Sequence, residues 1–281
     1  MKDVLRVSGL SKSYPSFKLR DVSFEITEGS ITGFIGRNGA GKSTTLKCIM
    51  NTVRKDGGEV FFFGKPFDGN EREIKNRTGF ITGGVDYYPG KKLKTITDVT
   101  KRFYDAWSDE DYRRYTSAFD LDENKTPRQL SQGMRVKYSL ALALSHNADL
   151  LILDEPTSGL DPVSREDLLE TFLRLSDEGK TVLFSTHVTS DLEKCASNII
   201  YIKDGEVFAE DDMRDFEKKF ALIETTGRSL PDGVSEKAIG IRRTKNGFSI
   251  LFYANEVPFM SENIKTPTLE DIMVHVEKEG L

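Results

Sequence analysis

The sequence has few of the residues that hold small proteins together through covalent bonds or metal ions. It contains two cysteines in 281 residues, Cys48 and Cys195, which lie far apart and form no CxxC pair. The three histidines, His146, His187 and His275, are also scattered and lack metal-ligand spacing. These absences exclude a small disulfide-stapled scaffold and give no zinc site. We therefore expect a protein of a reducing compartment that folds around a hydrophobic core.

Long hydrophobic runs and an excess of positive charge are absent as well. No apolar stretch approaches the roughly 18 residues that a membrane-spanning helix needs, and charges interrupt the first six positions, unlike a secretory signal. The formal net charge is −5, which gives no electrostatic reason to expect nucleic acid or acidic lipid as the main partner. We expect a soluble protein that reaches a membrane only through another subunit.

What the sequence does contain is an alternation of strands and helices. Hydrophobic residues make up 37% and charged residues 30%, enough for a substantial core in one large domain, or in one large and one small domain. The apolar run Leu150–Leu153 is typical of a strand that is buried on both faces, as in a parallel sheet. Further strands are predicted at 31–35, 78–82 and 181–185, with helices starting at Pro162 and Thr189, which indicates an α/β sheet with crossover connections.

Two segments differ from this alternation. Residues 95–119 have helical spacing, with Ile96, Val99, Phe103 and Trp107 on one predicted face, and a helix from Gln132 follows. Together they indicate an inserted helical subdomain at about residues 90–145. Turn signals near the end of the chain predict a small separate α+β appendage at 216–281, which leaves 1–215 as the main domain.

A glycine-rich segment carries the strongest chemical signal. Residues 36–44 read GRNGAGKST, fit GxxxxGK[ST], and lie between a predicted strand and a predicted helix. In this context the glycines allow backbone N–H groups to surround phosphates, while Lys42 neutralises the β- and γ-phosphates and Ser43 supplies a hydroxyl to Mg²⁺. The alternative is a strand-to-helix turn that binds no ligand. The predicted nucleotide-binding residues here are Gly36, Asn38, Gly39, Ala40, Gly41, Lys42, Ser43 and Thr44.

Two adjacent carboxylates end the buried strand that starts at Leu150. Charged groups at the end of a buried strand cost free energy unless a ligand or a reaction requires them there. Asp154 can hold Mg²⁺ through water, and Glu155 can polarise the water that attacks the γ-phosphate. The alternative is that both residues are solvated acids that cap the turn at Pro156.

The segment Leu130-Ser131-Gln132-Gly133-Met134 decides the class of P-loop protein. Its place between the glycine-rich loop and the carboxylate strand resembles the nucleotide-binding subunit of ABC (ATP-binding cassette) transporters, whose signature reads LSGGQ. Two positions depart from that signature, but Ser131 and Gly133, which the family uses to approach phosphate, are present. The resemblance implies a P-loop NTPase of the ABC type, with a mixed sheet core, an antiparallel β element and a helical subdomain.

The same resemblance extends to further positions. Ser158–Asp161 matches the family's D-loop, His187 stands where the family has its switch histidine, and Tyr14 where it stacks an aromatic ring on adenine. A packed or surface histidine and an ordinary aromatic residue at a strand end are the alternatives for the last two. The implied catalytic residues are thus Lys42, Glu155 and His187.

One position departs from the family pattern. Family members carry a glutamine, which reaches the metal and the attacking water, at the end of the strand here placed at 78–82, whereas this chain has Gly83 followed by Gly84. Asp86 could substitute only if the loop folds back. Either the chain positions metal and water by other means, or Gly83 is a hinge whose backbone conformation only glycine tolerates.

The resemblance implies an ATP-hydrolysing motor subunit of a transporter that uses ATP and Mg²⁺. We expect a homodimer or heterodimer of cassettes with ATP between the copies, docked through residues 95–119 to membrane-spanning permease subunits on the inner, cytoplasmic face of the cell membrane. Residues 266–272 also resemble the closing segment of single-cassette bacterial exporter-type subunits. The alternatives are a soluble ABC ATPase that acts on nucleic acid or the ribosome, and a non-catalytic nucleotide-binding regulator.

Overall fold

The computed structural model describes residues 2–83, 87–227, 230, 237–257 and 264–277, which form three β-sheets and the helices around them. The strands are β1 (Asp3–Tyr14), β2 (Phe17–Thr27), β3 (Ile31–Ile35), β4 (Gly57–Phe62), β5 (Lys65–Pro66), β6 (Thr78–Thr82), β7 (Leu150–Asp154), β8 (Thr181–Thr186), β9 (Asn198–Lys203), β10 (Glu206–Asp212), β11 (Phe220–Thr226), β12 (Gly240–Arg243), β13 (Gly247–Tyr253) and β14 (Ile264–Lys265). The helices are α1 (Lys42–Ile49), α2 (Glu71–Asn76), α3 (Leu93–Thr100), α4 (Asp109–Ala118), α5 (Gln132–Ser145), α6 (Pro162–Asp177), α7 (Thr189–Cys195), α8 (Met213–Lys218) and α9 (Leu269–Val276).

The central sheet has the order β10-β9-β3-β8-β7-β6 and is parallel except for its edge strand β10. Strand β7 is buried on both faces, as its apolar sequence predicts. Leu151 and Leu153 pack into the cluster on the side of α5, α6 and α7, while Leu150 and Ile152 pack into the cluster on the opposite side. The α/β class is therefore confirmed, and the carboxyl ends of β3, β7 and β8 meet at one edge of the sheet.

An antiparallel sheet with the order β2-β1-β4-β5 covers the second face of the central sheet. Its inward side chains alternate along β1 and β2 and share a core with α1. Phe24 of β2 meets Phe34 of β3 with ring centroids 5.7 Å apart. This packing fixes the loop after β3 from two sides.

The helical subdomain is divided where the sequence predicted continuous helical spacing. Helix α3 ends at Thr100, a 3-10 turn covers Lys101–Phe103, and α4 starts anew after Ser108, whose hydroxyl accepts a hydrogen bond from the Asp111 N–H. The predicted common face is therefore wrong: Ile96 is 3% exposed, but Phe103 is 71% exposed. Val99 is exposed as well. The helical periodicity ends here because the Ser108 cap starts a second helix.

The C-terminal segment is not separate from the rest of the molecule. Strands β12-β13-β11-β14 form an antiparallel sheet, and α9 packs against its inner face and against α7. Phe216, Leu222, Leu251 and Ile272 belong to the same hydrophobic cluster as the central sheet and α5 to α7. The segment contains strands and a helix, and part of its core is continuous with that of the larger domain, because these apolar side chains are buried against it.

Both cysteines are free and buried. Burial raises the pKa of the Cys195 thiol to about 12, and burial also raises the pKa of the Cys48 thiol. No helix among the described residues combines the length and the apolar character that crossing a membrane requires.

Candidate functional site

The glycine-rich loop joins the end of β3 to the start of α1. Gly36 must be glycine because a Cβ there would lie 2.3 Å from the Ile202 carbonyl oxygen. Gly41 has φ of 115° and precedes α1 without a side-chain cap. The first N–H groups of α1 have no intrahelical acceptor, and the helix dipole adds positive potential there. The loop therefore presents backbone donors suited to phosphate oxygens.

Lys42, the first residue of α1, is 5% exposed and bonded to the loop itself. Its ammonium donates to the carbonyl oxygens of Gly36, at 2.7 Å, and Arg37, at 3.2 Å, and lies 3.3 Å from Glu155 Oε1. The sequence predicts that Lys42 neutralises nucleotide phosphates. In the structure its ammonium also contacts the loop backbone and the carboxylate of Glu155, the residue after β7.

The structure brings Ser43 and Asp154 together. The Ser43 hydroxyl donates to Asp154 Oδ1 at 2.8 Å, and the Ser185 hydroxyl from β8 donates to the same oxygen at 2.7 Å. No group of three or more His, Cys, Asp or Glu ligands occurs among the described residues. One carboxylate with a hydroxyl beside a phosphate-binding loop nevertheless fits Mg²⁺, which takes oxygen ligands and keeps much of its shell from phosphates and water.

Glu155 lies one residue beyond β7 with φ of 49°, a left-handed conformation uncommon for a residue with a Cβ. Its N–H donates to Ser185 Oγ at 2.9 Å, which holds the backbone in this turn. The turn directs the side chain toward His187, whose Nδ1 lies 2.9 Å from Glu155 Oε2. The strained backbone therefore brings Glu155 within hydrogen-bond distance of the predicted switch histidine.

Lys42, Ser43, Glu155 and His187 line one open cleft of about 800 Å³. Tyr14, at the end of β1, stands at its rim with Phe17, and its ring is 38% exposed. Ser158 of the predicted D-loop also lines the cleft. The predicted nucleotide residues that line it are Tyr14, Asn38, Gly39, Gly41, Lys42, Ser43, Thr44, Glu155 and His187.

The signature segment lies elsewhere. Ser131 caps α5, where its hydroxyl accepts a hydrogen bond from the Met134 N–H at 3.2 Å. A Cβ at Gly133 would lie 3.4 Å from the Cβ of Ser164 on α6. Neither Ser131 nor Gly133 lines the cleft formed by the described residues. The structure thus separates the two groups of predicted phosphate-binding residues.

Ser185 and Arg37 were not singled out as site residues in the sequence analysis. Ser185 bonds both Asp154 and the backbone of Glu155, and Arg37 lines the cleft. A signal for Ser185 was present, because it is the last residue of the strand that the sequence predicts at 181–185; in the structure it pairs in register with Asp154. Arg37 occupies a variable position of the GxxxxGK[ST] pattern, which gives no such signal.

The end of β6 has an unexpected partner. Gly83 has φ of +62°, and no atom lies within 4 Å of a Cβ built there. Its carbonyl accepts a 2.6 Å hydrogen bond from Nε2 of Gln132, one of the two residues that depart from the family signature. Gly84 and Asp86 lie outside the described residues.

Comparison with known proteins agrees with this geometry. The family described as ABC transporter matches residues 19–158. The uncharacterized ABC transporter ATP-binding protein YdbJ of Bacillus subtilis is 34% identical over 215 residues, which cover 74% of this chain and 68% of that protein. The chain belongs to the ABC transporter ATP-binding family. The bacitracin transport ATP-binding protein BcrA of Bacillus licheniformis is 29% identical over 214 residues, 75% of this chain and 70% of that protein.

Solved structures of ABC cassettes share the fold. The structure of an ATP-binding subunit of an ABC transporter has a TM-score of 0.69 at 27% identity and covers 76% of this chain and 92% of that chain. A dimeric post-hydrolysis cassette bound to ADP and Pi has a TM-score of 0.65 at 27% identity, with 75% and 99% covered. The chain is thus an ABC cassette that binds and hydrolyses ATP as the motor subunit of a transporter.

Proposed function

We propose that ATP binds with Mg²⁺ in the cleft between the glycine-rich loop and β7. The observation that carries this proposal is the contact of residues from three strand ends: Ser43 with Asp154, and Lys42 and His187 with Glu155. Mg²⁺ would be held by Ser43 and Asp154, and it would neutralise charge on the β- and γ-phosphates.

In the proposed mechanism this chain orients the nucleotide and activates water. The N–H groups at the start of α1 and the Lys42 ammonium bind the phosphates, and the Tyr14 ring stacks on adenine. Glu155 accepts a proton from the water that attacks the γ-phosphorus, and the bond from phosphorus to the ADP oxygen breaks. His187 hydrogen-bonds the γ-phosphate, so its contact with Glu155 links phosphate recognition to the general base.

The cleft becomes complete, in this proposal, when a second cassette docks. Ser131 and Gly133 stand at the start of α5 and away from the cleft of their own chain. A head-to-tail pair of cassettes, identical or different, would place the signature of each copy against the nucleotide of the other. Binding of ATP would thereby draw the two copies together.

We also propose that permease subunits dock on the helical subdomain. Four large apolar side chains are exposed around it: Tyr87, Tyr88, Val99 and Phe103. Tyr87 lines one small cavity with Thr100 and Tyr104, the residues that follow Val99 and Phe103, so Tyr87, Val99 and Phe103 belong to one region. The subunit would then lie on the cytoplasmic face of the membrane. The resemblance of residues 266–272 favours an export system.

Co-purification in mild detergent tests the docking surface. Val99→Asp with Phe103→Asp should lose polytopic membrane proteins that purify with the wild type, because charges replace the apolar contact. Val163→Asp is the matched control, since Val163 is also 71% exposed but lies on α6. Retention by the double variant, or recovery of nucleic acid or ribosomal proteins in place of membrane proteins, would contradict the proposal.

A further inference from the structure

The last described helix lies outside the segment that matches the family and lines a cleft next to the nucleotide cleft; the two clefts share Arg37 and His187. Helix α9 packs on α7, and Lys203 of β9 donates to the Val276 carbonyl at 2.9 Å. The capping hydroxyl of Thr268 accepts a hydrogen bond from the Asp271 N–H, which fixes the start of the helix. Contacts at both ends of α9 therefore fix the helix, and with it the position of Glu277, the residue that follows.

The carboxylate of Glu277 faces Arg37 of the glycine-rich loop. Its side chain is 11% exposed, and Oε1 accepts a 3.0 Å hydrogen bond from the Tyr201 hydroxyl. Its other oxygen, Oε2, lies 3.7 Å from an Nη of Arg37. A carboxylate so buried needs a cation or donors, and here it has one of each.

Arg37 belongs to two clefts at once. It lines the nucleotide cleft, and it also lines a second cleft of about 550 Å³ between His187 and α9. Its side chain is 63% exposed, so most of it faces solvent and not a packed surface. A guanidinium in this place can pair either with the Glu277 carboxylate or with a phosphate of a bound nucleotide.

We propose that Glu277 is a positioning residue that holds Arg37 away from the nucleotide and so limits the affinity of the cleft. The two anions compete for one cation, because the pair with Glu277 must open before Arg37 can reach phosphate. The C-terminal segment thereby sets nucleotide affinity through a single ion pair. This inference rests on the proposed binding of nucleotide in the cleft.

The test measures the dissociation constants of ADP and of a non-hydrolysable ATP analogue by calorimetry, with Mg²⁺, on the full chain. Glu277→Gln keeps the shape and an acceptor for Tyr201 but removes the charge. We expect about two- to fivefold tighter binding, the range of a partly exposed ion pair, and a smaller gain at high salt. Glu270→Gln is the matched control, because Glu270 lines the second cleft from the same helix, whereas the carboxylate that pairs with Arg37 is that of Glu277.

The Arg37→Ala background distinguishes the ion pair from general repulsion. There, Glu277→Gln should give no further change in affinity, and thermal unfolding should show that each variant folds like the wild type. The proposal is overturned if Glu277→Gln binds like the wild type, or if its gain persists in Arg37→Ala, which would indicate long-range repulsion of phosphate. Absence of nucleotide binding by the wild type would overturn the proposed function itself, and this inference with it.

Discussion

Asp154 depends on two serines rather than one. Ser43 comes from the glycine-rich loop and Ser185 from β8, and both hydroxyls donate to Oδ1 of the same carboxylate. Only the first serine belongs to a motif. The second fixes the direction in which Asp154 presents its remaining lone pairs, which is the role of an outer partner of a metal ligand.

Ser185→Ala should therefore raise the Mg²⁺ concentration that ATPase activity requires, although Ser185 is not itself a proposed metal ligand. We expect the Mg²⁺ concentration for half-maximal ATPase activity to rise about tenfold, since outer partners typically have effects of this size. A Mg²⁺ titration of the ATPase rate measures it. Ser176→Ala is the control, because its hydroxyl donates to the Gly29 carbonyl, outside the cleft. An unchanged titration for Ser185→Ala would mean that Ser43 alone orients Asp154.

At the scale of single residues, the sequence predicted those site residues that belong to local motifs. Asp154 ends β7, Glu155 follows it, and Lys42 and Ser43 follow the glycine-rich loop after β3; these residues meet because parallel strands place the carboxyl ends of β3 and β7 at one edge of the sheet. The contact of Lys42 with Glu155 was not predictable from the loop motif, because it depends on where the chain later returns. The ion pair of Arg37 with residue 277 depends on an even more distant part of the chain.

Gly83 follows β6, whose last residue, Thr82, pairs in register with Asp154. The φ of Gly83, +62°, favours the hinge interpretation over the metal-shell interpretation, in which a glutamine at this position would add an amide to the metal shell, although nothing obstructs a side chain there. Gly83→Ala and Gly83→Gln should both destabilise the protein by about 1 kcal/mol and should not raise turnover. Urea unfolding and steady-state ATPase rates measure both quantities. A glutamine variant faster than the alanine variant would restore the metal-shell interpretation.

His146 links the end of α5 to the segment between the two subdomain helices. Its ring stacks on Tyr104 at 3.8 Å, and Nδ1 lies 3.0 Å from the Asn76 carbonyl oxygen. Burial lowers the pKa of His146 below its usual value of about 6.5. The unfolded chain therefore binds the proton more tightly than the folded chain, and stability decreases as the pH falls below about 6.5.

His146→Phe retains an aromatic ring for the stack and removes the proton site. The loss of unfolding free energy between pH 7.5 and pH 5.5 should be smaller in this variant than in the wild type, although its stability at pH 7.5 is reduced by the lost hydrogen bond. Urea titrations at the two pH values measure the difference. Equal losses in both proteins would show that other groups dominate the acid response.

Elements with a complete local signal were predicted well, and the helical subdomain was not. Strand β6 has the predicted bounds, and β7 differs by one residue, because an apolar run between turn signals leaves few alternatives. The apolar spacing of residues 95–119 continues across a break that Ser108 produces. Periodicity alone does not separate one helix from two when exposed apolar residues such as Phe103 follow the same spacing.

At the scale of the whole molecule, we expect Glu155 to affect both ATP hydrolysis and the dimerisation of cassettes. Glu155→Gln keeps the size of the side chain and an oxygen beside Lys42 but cannot accept a proton from water as a carboxylate does. We expect nearly unchanged ATP affinity, loss of most turnover, and accumulation of an ATP-bound dimer, measured by size exclusion with ATP and Mg²⁺. A variant that stays monomeric while saturated with ATP would contradict the head-to-tail pair.

The burial of both thiols has a practical consequence for spectroscopy. Cys48 and Cys195 are the only cysteines of the chain, and neither is accessible. Maleimide or methanethiosulfonate reagents should therefore spare them at neutral pH, because the thiolate is scarce and shielded. A cysteine introduced at exposed Glu170 on α6 would accept one spin label per subunit in an otherwise native background. Distances between two such labels would then follow the approach of two cassettes through the ATP cycle.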